Sequence, residues 1–366
     1  MANRFLYIDD NKPSLNEAII SAINAVDGVK VVSEEAKKWD EQVEFLLSEE
    51  YDGLLLDWRL GDVVKYDSEA LAQHIRTLVN NGTLKTDIPV VLCSANSNFQ
   101  ENFGRDDSSH NLFLTIYEKD MIANQAERVA TEMNSLAEAF KLVQGEVITD
   151  AKTLLAVPQA ITIDPRLEEE TCSLIEKRIP HNLVRFILKE VVEKPGPLIN
   201  EDILASRLGI DMRKSQDWLK LLNEHLSTFS YKGILHDGWK RWWAEGLEHW
   251  WKSSITASNP KGRVAKQRVK LLIEKTGLTG LVAAEKQKLS YGTEFWVTCV
   301  ITRLPLDPLD GLRVKPQTIH LPWQDEQFVS PYGLLEFGPE TLKKNGFRLN
   351  AFEKDKWETL RKNSKD

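Results

Sequence analysis

Several classes of protein are excluded by what the sequence lacks. It has only three cysteines, far apart and without metal-ligand spacing, namely Cys93, Cys172 and Cys299. A disulfide framework or a zinc site is therefore not expected, and the thiols should be reduced. No apolar run approaches the roughly 20 residues that cross a bilayer, and the stretch MANRFLYIDD has no basic segment followed by an apolar one. We expect a cytoplasmic protein that has no membrane partner.

The C-terminal third also lacks the short motifs that mark common active sites. It contains no nucleophile elbow, phosphate-binding loop, zinc spacing or metallopeptidase helix. A turnover enzyme is therefore not indicated, and an active site of unfamiliar type in this region stays open as a third class of function. The composition, 42% hydrophobic and 28% charged, is that of a globular protein long enough for two or three domains.

Charge is distributed unevenly along the chain. The formal net charge is −8. Residues 1–145 hold 25 acidic residues and 13 lysines and arginines, a balance of −12, whereas the remainder holds 30 and 34, a balance of +4. An acidic first part and a mildly basic second part either attract each other or face different partners.

The first part of the chain, residues 4–143, alternates strand-like and helix-like segments. Its strand-like segments are RFLYI, VKVVS, YDGLLL, IPVVLCS and NLFLTIY, and its last helix-like segment is DMIANQAERVATEMNSLAEAFKLV. Strands that alternate with amphipathic helices predict a parallel sheet with helices on both faces. We therefore predict an α/β domain over residues 1–145.

Polar residues follow several of these strands at the point where each one ends. The first ends in Asp9 and Asp10, the third in Asp57 and the fourth in Ser94, while Lys119 lies just beyond the fifth. The carboxyl ends of parallel strands lie along one edge of a sheet, so these side chains are expected to converge. A carboxylate at the end of a run as apolar as Leu54–Leu56 is costly to bury unless its charge is used.

Three neighbouring carboxylates and a lysine indicate a particular chemistry. A hard cation such as Mg²⁺ relieves the repulsion between the carboxylates. With the metal and Lys119 neutralising a transferred phosphoryl group, Asp57 is suited to act as the nucleophile and become an aspartyl phosphate.

Four segments resemble the receiver domains of bacterial two-component response regulators. The family's acidic pair, phosphoacceptor, switch and lysine strands are similar to FLYIDDN, LLLDWRLGD, IPVVLCSA and IYEKD. The resemblance covers residues 4–143 and implies a doubly wound, flavodoxin-like sheet of five strands. It implies that Asp9 and Asp10 help to hold Mg²⁺, that Asp57 accepts phosphate, that Ser94 senses it and that Lys119 pairs with it. A histidine kinase or another phosphodonor is the implied partner.

Departures from the family pattern predict an atypical receiver. Asp120 follows Lys119 where the family has proline, Ile116 stands at the aromatic switch position, and Arg59 lies two residues after Asp57. The segment between Asp57 and Ser94 is longer than usual, as is the polar stretch 97–111. The alternative is a degenerate receiver that keeps the fold and acts only as a protein-interaction module.

The middle of the chain is predicted to hold a linker, residues 146–178, and a winged-helix-like domain, residues 179–238. The order helix, helix, tight turn at Gly209, helix and hairpin is typical of a winged helix-turn-helix. Its recognition helix would carry candidate DNA contacts at Arg213, Lys214, Gln216 and Lys220. Winged helices also bind proteins, so the fold does not decide between the two.

Residues 239–366 are predicted to contain a tryptophan-rich helix, a basic helix and a small α+β part. Five tryptophans between Trp239 and Trp251 have helical spacing, which favours a core stripe over an aromatic platform for bases. Between Trp239 and Lys275, nine lysines and arginines face three acids, a local charge of +6. This segment is suited to an anionic partner, either nucleic acid or the acidic first domain.

These observations predict a phosphorylation-controlled signalling protein, a phosphoryl acceptor rather than a turnover enzyme. In one version of this hypothesis, the region after the first domain and its linker, residues 179–366, is an output region that binds DNA. In the other it is a switchable adaptor that docks an effector protein, for example in a phage-defence or stress system. A homodimer is a candidate assembly.

Overall fold

The computed structural model describes residues 2–11, 16–61, 64–94, 111–145 and 148–363. Nearly all of the long polar stretch 97–111 lies outside the described residues, as do the first two residues of the predicted linker. The chain forms two compact units, and neither is continuous in sequence. The first unit consists of Met1–Leu154, Glu170–Leu188 and Gly233–Trp239, and the second of Leu155–Glu169, Lys189–Lys232 and Lys240–Asp366. The units thus divide the chain at other points than the predicted domains.

The first unit begins with alternating strands and helices. The strands are β1 (Asn3–Asp9), β2 (Val29–Glu35), β3 (Gly53–Asp57), β4 (Val90–Ser94) and β5 (Ile116–Glu118). The helices are α1 (Glu17–Asn24), α2 (Trp39–Ser48), α3 (Ser68–Asn80), α4 (Lys119–Asn124), α5 (Ala126–Gly145) and α6 (Ala151–Leu154).

All five strands form one parallel sheet in the order β2-β1-β3-β4-β5. This is the flavodoxin-like order, and it confirms the predicted fold class of the first unit. The apolar runs explain the central position of β3, because Leu54, Leu55 and Leu56 are completely buried between helices on both faces. Val90, Val91 and Leu92 of β4 are equally inaccessible.

Two elements of the first unit differ from the prediction. The fifth strand was expected from residue 111 onward, but β5 comprises only Ile116–Glu118. The closing helix is interrupted at Gln125, so that Lys119 starts the short helix α4 and Ala126 starts the long helix α5. Lys119 therefore lies at a helix start directly after a strand end.

A later segment of the chain completes the first unit. Helix α7 (Pro165–Lys177) contributes residues to both units, and α8 (Pro180–Phe186) packs in the first unit against α5. The backbone N–H of His181 donates to Asp87 Oδ2 at 3.1 Å, and its ring Nε2 lies 2.7 Å from the carbonyl oxygen of Asn111. Asp87 also forms a buried ion pair with Arg76 of α3. Asp87 thereby joins three parts of the unit.

The second unit contains helices and short antiparallel strands. The helices are α9 (Glu201–Leu208), α10 (Trp218–Lys220), α11 (Ala244–Trp250), α12 (Ala265–Thr276), α13 (Pro331–Lys344) and α14 (Lys354–Asn363). The strands are β6 (Leu198–Ile199), β7 (Trp242–Trp243), β8 (Val297–Thr298), β9 (Pro305–Leu306), β10 (Leu312–Pro316), β11 (Gln327–Val329) and β12 (Phe347–Leu349). Strand β6 pairs with β7, β8 pairs with β9, and β10 lies between β11 and β12. The predicted mixture of helix and strand in the C-terminal part is confirmed.

The tryptophan-rich segment does not form one helix. Trp242 and Trp243 lie in strand β7, and the helix starts only at Ala244. Trp250 ends α11, and Trp251 begins a π-helical turn, Trp251–Ile255. These four indoles are nevertheless at most 6% exposed, so the core interpretation is confirmed, and the two strand residues reach the core from an extended backbone.

Gly209 ends helix α9 in the left-handed conformation, with φ of 72°. A Cβ atom at this position would lie 2.7 Å from Cα of Ala265, so the glycine allows close contact with the start of α12. Within residues 227–238, all of which are described, no strand forms, and the predicted hairpin is absent. The winged-helix interpretation of this region stays a prediction. No helix among the described residues has the length and apolar character needed to cross a membrane.

Candidate functional site

The site lies at the edge of the sheet where the strands end. Asp9, Asp57 and Ser94 are the last residues of β1, β3 and β4. Asp57 is opposite Cys93 in the register of β3 and β4, and Ser94 is opposite Glu118, the residue before Lys119. The parallel register thus brings all the sequence-predicted positions of this site to one edge.

Lys119 connects two of the carboxylates. Its ammonium Nζ lies 2.7 Å from Asp9 Oδ2 and 2.7 Å from Asp57 Oδ1. The side chain of Lys119 is 13% exposed, so the ion pairs are only weakly screened by water. Burial lowers the pKa of Lys119, but the hydrogen bonds to Asp57 and Asp9 outweigh it, and the pKa lies above its usual value.

Asp9 is the best-satisfied carboxylate of the site. Its Oδ1 accepts from the backbone N–H and the side-chain amide of Asn11, at 2.9 and 2.8 Å, and its Oδ2 accepts from the hydroxyl of Tyr7. Burial by itself would raise the pKa of Asp9, but the hydrogen bonds from Lys119 and Tyr7 outweigh it, and the pKa lies below its usual value. Asp9 is therefore ionised at neutral pH.

Asp57 is held less tightly. Its Oδ2 accepts the backbone N–H of Arg59 at 3.0 Å, and its backbone carbonyl accepts from the hydroxyl of Ser68 at the start of α3. Burial raises the pKa of Asp57 above its usual value, and the hydrogen bond and charge of Lys119 oppose this rise without cancelling it. An anion that is weakly solvated and only partly compensated is a more reactive nucleophile than a fully bonded one.

Asp10 completes the acidic cluster and is exposed. One ligand oxygen from each of Asp9, Asp10 and Asp57 lies within 4.8 Å of the others. Burial, followed by the hydrogen bond and charge of Asp9, raises the pKa of Asp10. Gly61 adjoins this side chain with φ of 81°, and a Cβ atom there would lie 3.0 Å from Asp10 Oδ2. The absence of a side chain at residue 61 leaves room beside the carboxylate.

This donor set fits a hard divalent cation. Three carboxylates face a single ammonium, so the cluster carries a formal charge of −2, and all its ligand atoms are oxygens. Mg²⁺ prefers such ligands and is held by one or two protein carboxylates together with water and phosphate. Among the described residues, no other group of three or more acidic, histidine or cysteine side chains has this arrangement.

The switch positions are placed as follows. Ser94 is buried at the end of β4, and Ile116 is 37% exposed at the start of β5. The neighbouring aromatic residue, Tyr117, is buried, and its hydroxyl donates to Glu132 of α5 at 2.8 Å. The aromatic side chain of β5, Tyr117, is therefore buried, and it lies one residue after the predicted switch position.

Sequence reasoning did not identify Tyr7, Asn11 and Gly61 as parts of the site. A signal was available for Tyr7, because residues two apart in a strand lie on one face, and Asp9 follows Tyr7 at that spacing. No local signal was available for Gly61, since its contact with Asp10 depends on how the loop after β3 folds back.

The predicted DNA contacts are only partly helical. Arg213, Lys214 and Gln216 lie in turns before α10, and only Lys220 lies within it. Asp211 forms an ion pair with Lys214 at 3.3 Å, and Asp217 one with Lys220 at 3.6 Å. The prediction of one recognition helix carrying all four residues is therefore not met, because acidic neighbours and turns interrupt the basic side chains.

No family model matches the chain, and no curated protein matches it. Solved structures do match, over its N-terminal 36%. They include the signal receiver domain of the response regulator NarL from Mycobacterium tuberculosis (20% identity, 96% of that chain, TM-score 0.26). Others are a sensor protein from Polaromonas sp. JS666 (19%, 98%, 0.26) and the phosphorylated cyanobacterial phytochrome response regulator RcpA (19%, 94%, 0.27). The flavodoxin-like fold of the first unit is established by the strand order and register of its own sheet.

Proposed function

We propose that the first unit is a receiver-type switch in which Asp57 accepts a phosphoryl group. The observation that carries the proposal is the position of the Asp57 carboxylate between the Lys119 ammonium, 2.7 Å away, and the acidic pair Asp9 and Asp10. A receiver fold without this chemistry has no need of three carboxylates and a buried lysine at one sheet edge. The implied phosphodonor is a histidine kinase or a small acyl phosphate.

The residues act in defined roles. One oxygen of the Asp57 carboxylate attacks the phosphorus of the donor, a P–O bond forms, and the bond from phosphorus to the donor atom breaks with its electron pair leaving on the donor. Lys119 pairs with the negative charge on the phosphoryl oxygens. Asp9, Asp10 and Asp57 would hold Mg²⁺, which supplies further charge neutralisation when bound. The protein is a phosphoryl acceptor in this proposal and not a turnover enzyme.

Phosphorylation changes the charge that Lys119 faces. In the phosphorylated form residue 57 carries roughly −1.5 to −2 charge in place of the single charge of the carboxylate, and these phosphoryl oxygens compete with Asp9 for the Lys119 ammonium. Movement of Lys119 toward residue 57 would shift the start of α4, because Lys119 is its first residue. With Ile116 at the aromatic switch position, the signal passes through backbone movement of β5 and α4 and not through rotation of an aromatic side chain.

The test is incubation of the full chain with acetyl phosphate and Mg²⁺, followed by intact-mass measurement. Wild type should gain one phosphate and Asp57→Asn none. Asp52→Asn is the matched control, because Asp52 lies just before the same strand at its opposite end and pairs with Lys141. A phosphate on Asp57→Asn, or none on wild type with both acetyl phosphate and a phosphorylated kinase, would show that the unit is a degenerate receiver.

The target of the switch belongs to one of two classes, DNA or an effector protein. Phosphate contacts in DNA release counterions, so DNA binding falls steeply with salt, whereas adaptor binding through apolar contacts does not. Binding measured with and without prior phosphorylation shows whether the receiver regulates the interaction. Asp57→Asn, which cannot be phosphorylated at this position, is the control.

A further inference from the structure

A basic surface in the second unit is not used by the proposed switch. The segment from residue 249 to residue 273 contains six lysines and arginines and no acidic residue, in a chain whose net charge is −8. It comprises the end of α11, the π-helical turn Trp251–Ile255, a 3₁₀ turn at Pro260–Gly262 and most of α12. Five of the six cationic side chains reach the surface, namely Lys252, Lys261, Arg263, Lys266 and Lys270.

These cations have few acidic neighbours. Within the described part of the chain, no carboxylate lies within ion-pair distance of Lys252, Lys261 or Lys266. Lys270 is 78% exposed, and its one ion-pair contact among the described residues, with Glu274, is 3.8 Å long. Lys252 and Lys266 therefore have no carboxylate partner among the described residues, unlike Lys214 and Lys220 on the predicted recognition helix. Lys261 lies over the ring of Trp296, with Nζ 5.6 Å from the ring centroid.

The surface is structurally well fixed. Arg263 donates to the hydroxyl of Ser258 at 2.6 Å, and the indole of Trp251 donates to the carbonyl of Ser258 at 3.0 Å. The side chain of Asn259 caps the 3₁₀ turn by accepting from the backbone N–H of Lys261 at 2.8 Å. These bonds tie the loop between α11 and α12 to the core, so its cations are presented by an ordered backbone.

Residues 249–275 offer neither an exposed tryptophan ring nor a large exposed hydrophobic side chain. Trp250 and Trp251 are 6% and 0% exposed, so they offer no ring on which an unpaired base could stack. The large exposed hydrophobic residues of the described chain include none between residues 249 and 275, so an apolar protein surface has nothing to dock against. What remains is lysine, arginine, serine and asparagine, the side chains that contact phosphate and sugar in protein–DNA complexes.

We propose that this surface binds the phosphate backbone of duplex DNA without reading its sequence. Lys252, Lys261, Arg263, Lys266 and Lys270 supply the charge, and Ser258 and Asn259 hold the loop that carries them. The proposal does not depend on phosphorylation of Asp57, because binding is expected in the absence of any phosphodonor. It also locates the DNA contacts away from the turns at residues 211–217.

The experiment uses the full chain and a fluorescein-labelled duplex of arbitrary sequence, with binding followed by anisotropy as NaCl is raised from about 50 to about 200 mM. Lys266→Glu with Lys270→Glu removes two cations from one face of α12. Wild type should bind at low salt, and this double variant should bind about tenfold more weakly, with its salt slope reduced by about 2. A scrambled duplex should bind equally well.

The matched control is Lys343→Glu with Lys344→Glu, which makes the same change in net charge at two exposed positions of α13. It should retain wild-type affinity, and equal loss in the control would show a mere net-charge effect and overturn the proposal. If only the double variant Arg213→Glu with Lys214→Glu loses affinity for the duplex, the DNA contacts lie in the predicted winged-helix region instead. Equally tight, variant-sensitive binding of poly-glutamate would identify an acidic protein as the partner. Melting by circular dichroism verifies that each variant is folded.

Discussion

The Lys119 ammonium lies 2.7 Å from Oδ1 of Asp57 and at the same distance from Oδ2 of Asp9, so one cation serves two buried anions. Both carboxylates come from the ends of adjacent strands, and Lys119 comes from the start of a helix two strands away. The lysine is therefore in direct contact with both carboxylates at the edge of the sheet.

Removal of this lysine should destabilise the first unit strongly. Lys119→Met leaves Asp9 and Asp57 buried together without a counter-charge, and loss of one partner of a buried pair costs about 3–5 kcal/mol. Lys141→Met is the control, because Lys141 is half exposed and pairs with Asp52 at the surface, where a pair contributes about 0–1 kcal/mol. Urea unfolding of both variants measures the difference. Equal losses would mean that Lys119 is not the counter-charge that the two carboxylates require.

The two carboxylates should respond in opposite ways to neutralisation. Asp9→Asn removes a carboxylate whose ionised form the fold stabilises, and we expect a loss of about 1.5–3 kcal/mol at pH 7, typical of hydrogen bonds to a charged group. Asp57→Asn removes a charge that burial disfavours, as the raised pKa of Asp57 indicates. Its free energy of unfolding without Mg²⁺ should equal or exceed that of wild type. Chemical denaturation of the two variants in parallel decides the order of stability.

The space beside Asp10 should matter for metal binding. In Gly61→Ala the added methyl group would lie 3.0 Å from Asp10 Oδ2, and φ of 81° is unfavourable for alanine. We expect weaker Mg²⁺ affinity, measured by isothermal titration calorimetry, and slower phosphorylation by acetyl phosphate. Gly82→Ala, also at positive φ but with no atom near the added methyl, controls for backbone strain. Equal Mg²⁺ affinity in the two variants would contradict the assignment.

Acid should destabilise the first unit through His181. Burial, together with the charge of Arg76, lowers the pKa of His181 to about 3, against 6.5 for an exposed histidine. The unfolded chain therefore binds a proton below pH 6.5 that the folded chain does not bind. Stability should fall by about 1.4 kcal/mol per pH unit between roughly pH 6 and pH 3 from this group. His181→Gln, whose side-chain amide can still donate to the Asn111 carbonyl, should flatten that slope in urea unfolding at several pH values.

The buried Arg268 should be essential to the second unit. Its guanidinium donates to the carbonyl oxygens of Arg263, Arg207 and Phe295 at 2.8, 2.9 and 2.6 Å, and it is completely inaccessible to solvent. Arg268→Met preserves the apolar volume but leaves these buried carbonyl oxygens without a donor. Each unpaired carbonyl should lower the free energy of unfolding by about 1–3 kcal/mol. Thermal unfolding should show the loss, and Arg263→Met should lose much less because its bonded partner, Ser258, is exposed.

The sequence allowed the sheet and most of the site in the first unit to be predicted, for a physical reason. Apolar runs such as Leu54–Leu56 specify buried parallel strands, and in such a sheet the residues that end the strands must lie along one edge. Asp9, Asp57, Ser94 and Lys119 could therefore be grouped without any knowledge of long-range contacts. The environment that makes Asp9 differ from Asp57 was not predictable, because it depends on Tyr7, Asn11 and the burial of each carboxylate.

The second unit was predicted less well because its elements are short and its periodicity is ambiguous. Trp242 and Trp243 match helical spacing with Trp250, yet they pair with Leu198 and Ile199 in a two-stranded ladder. A long-range partner decided the backbone conformation in this case, and local spacing cannot reveal such a partner. The helix expected over residues 211–226 begins only at Trp218. The Asp211 carboxylate accepts from the backbone N–H of Lys214, and the Ser215 hydroxyl donates to the Asp211 carbonyl, so side chains close turns here.

The interleaved order of the two units bears on how the protein is made and how it could be recombined. The first unit is completed only when Trp239 has been synthesised, 85 residues after Leu154. At about 5–20 residues per second this delays its completion during translation by roughly 4–17 s. A gene segment cut after residue 154 would encode the whole sheet without α8 and would leave Asp87 without the N–H group of His181. Exchange of the first unit between proteins as one continuous segment is therefore disfavoured by the path of its chain.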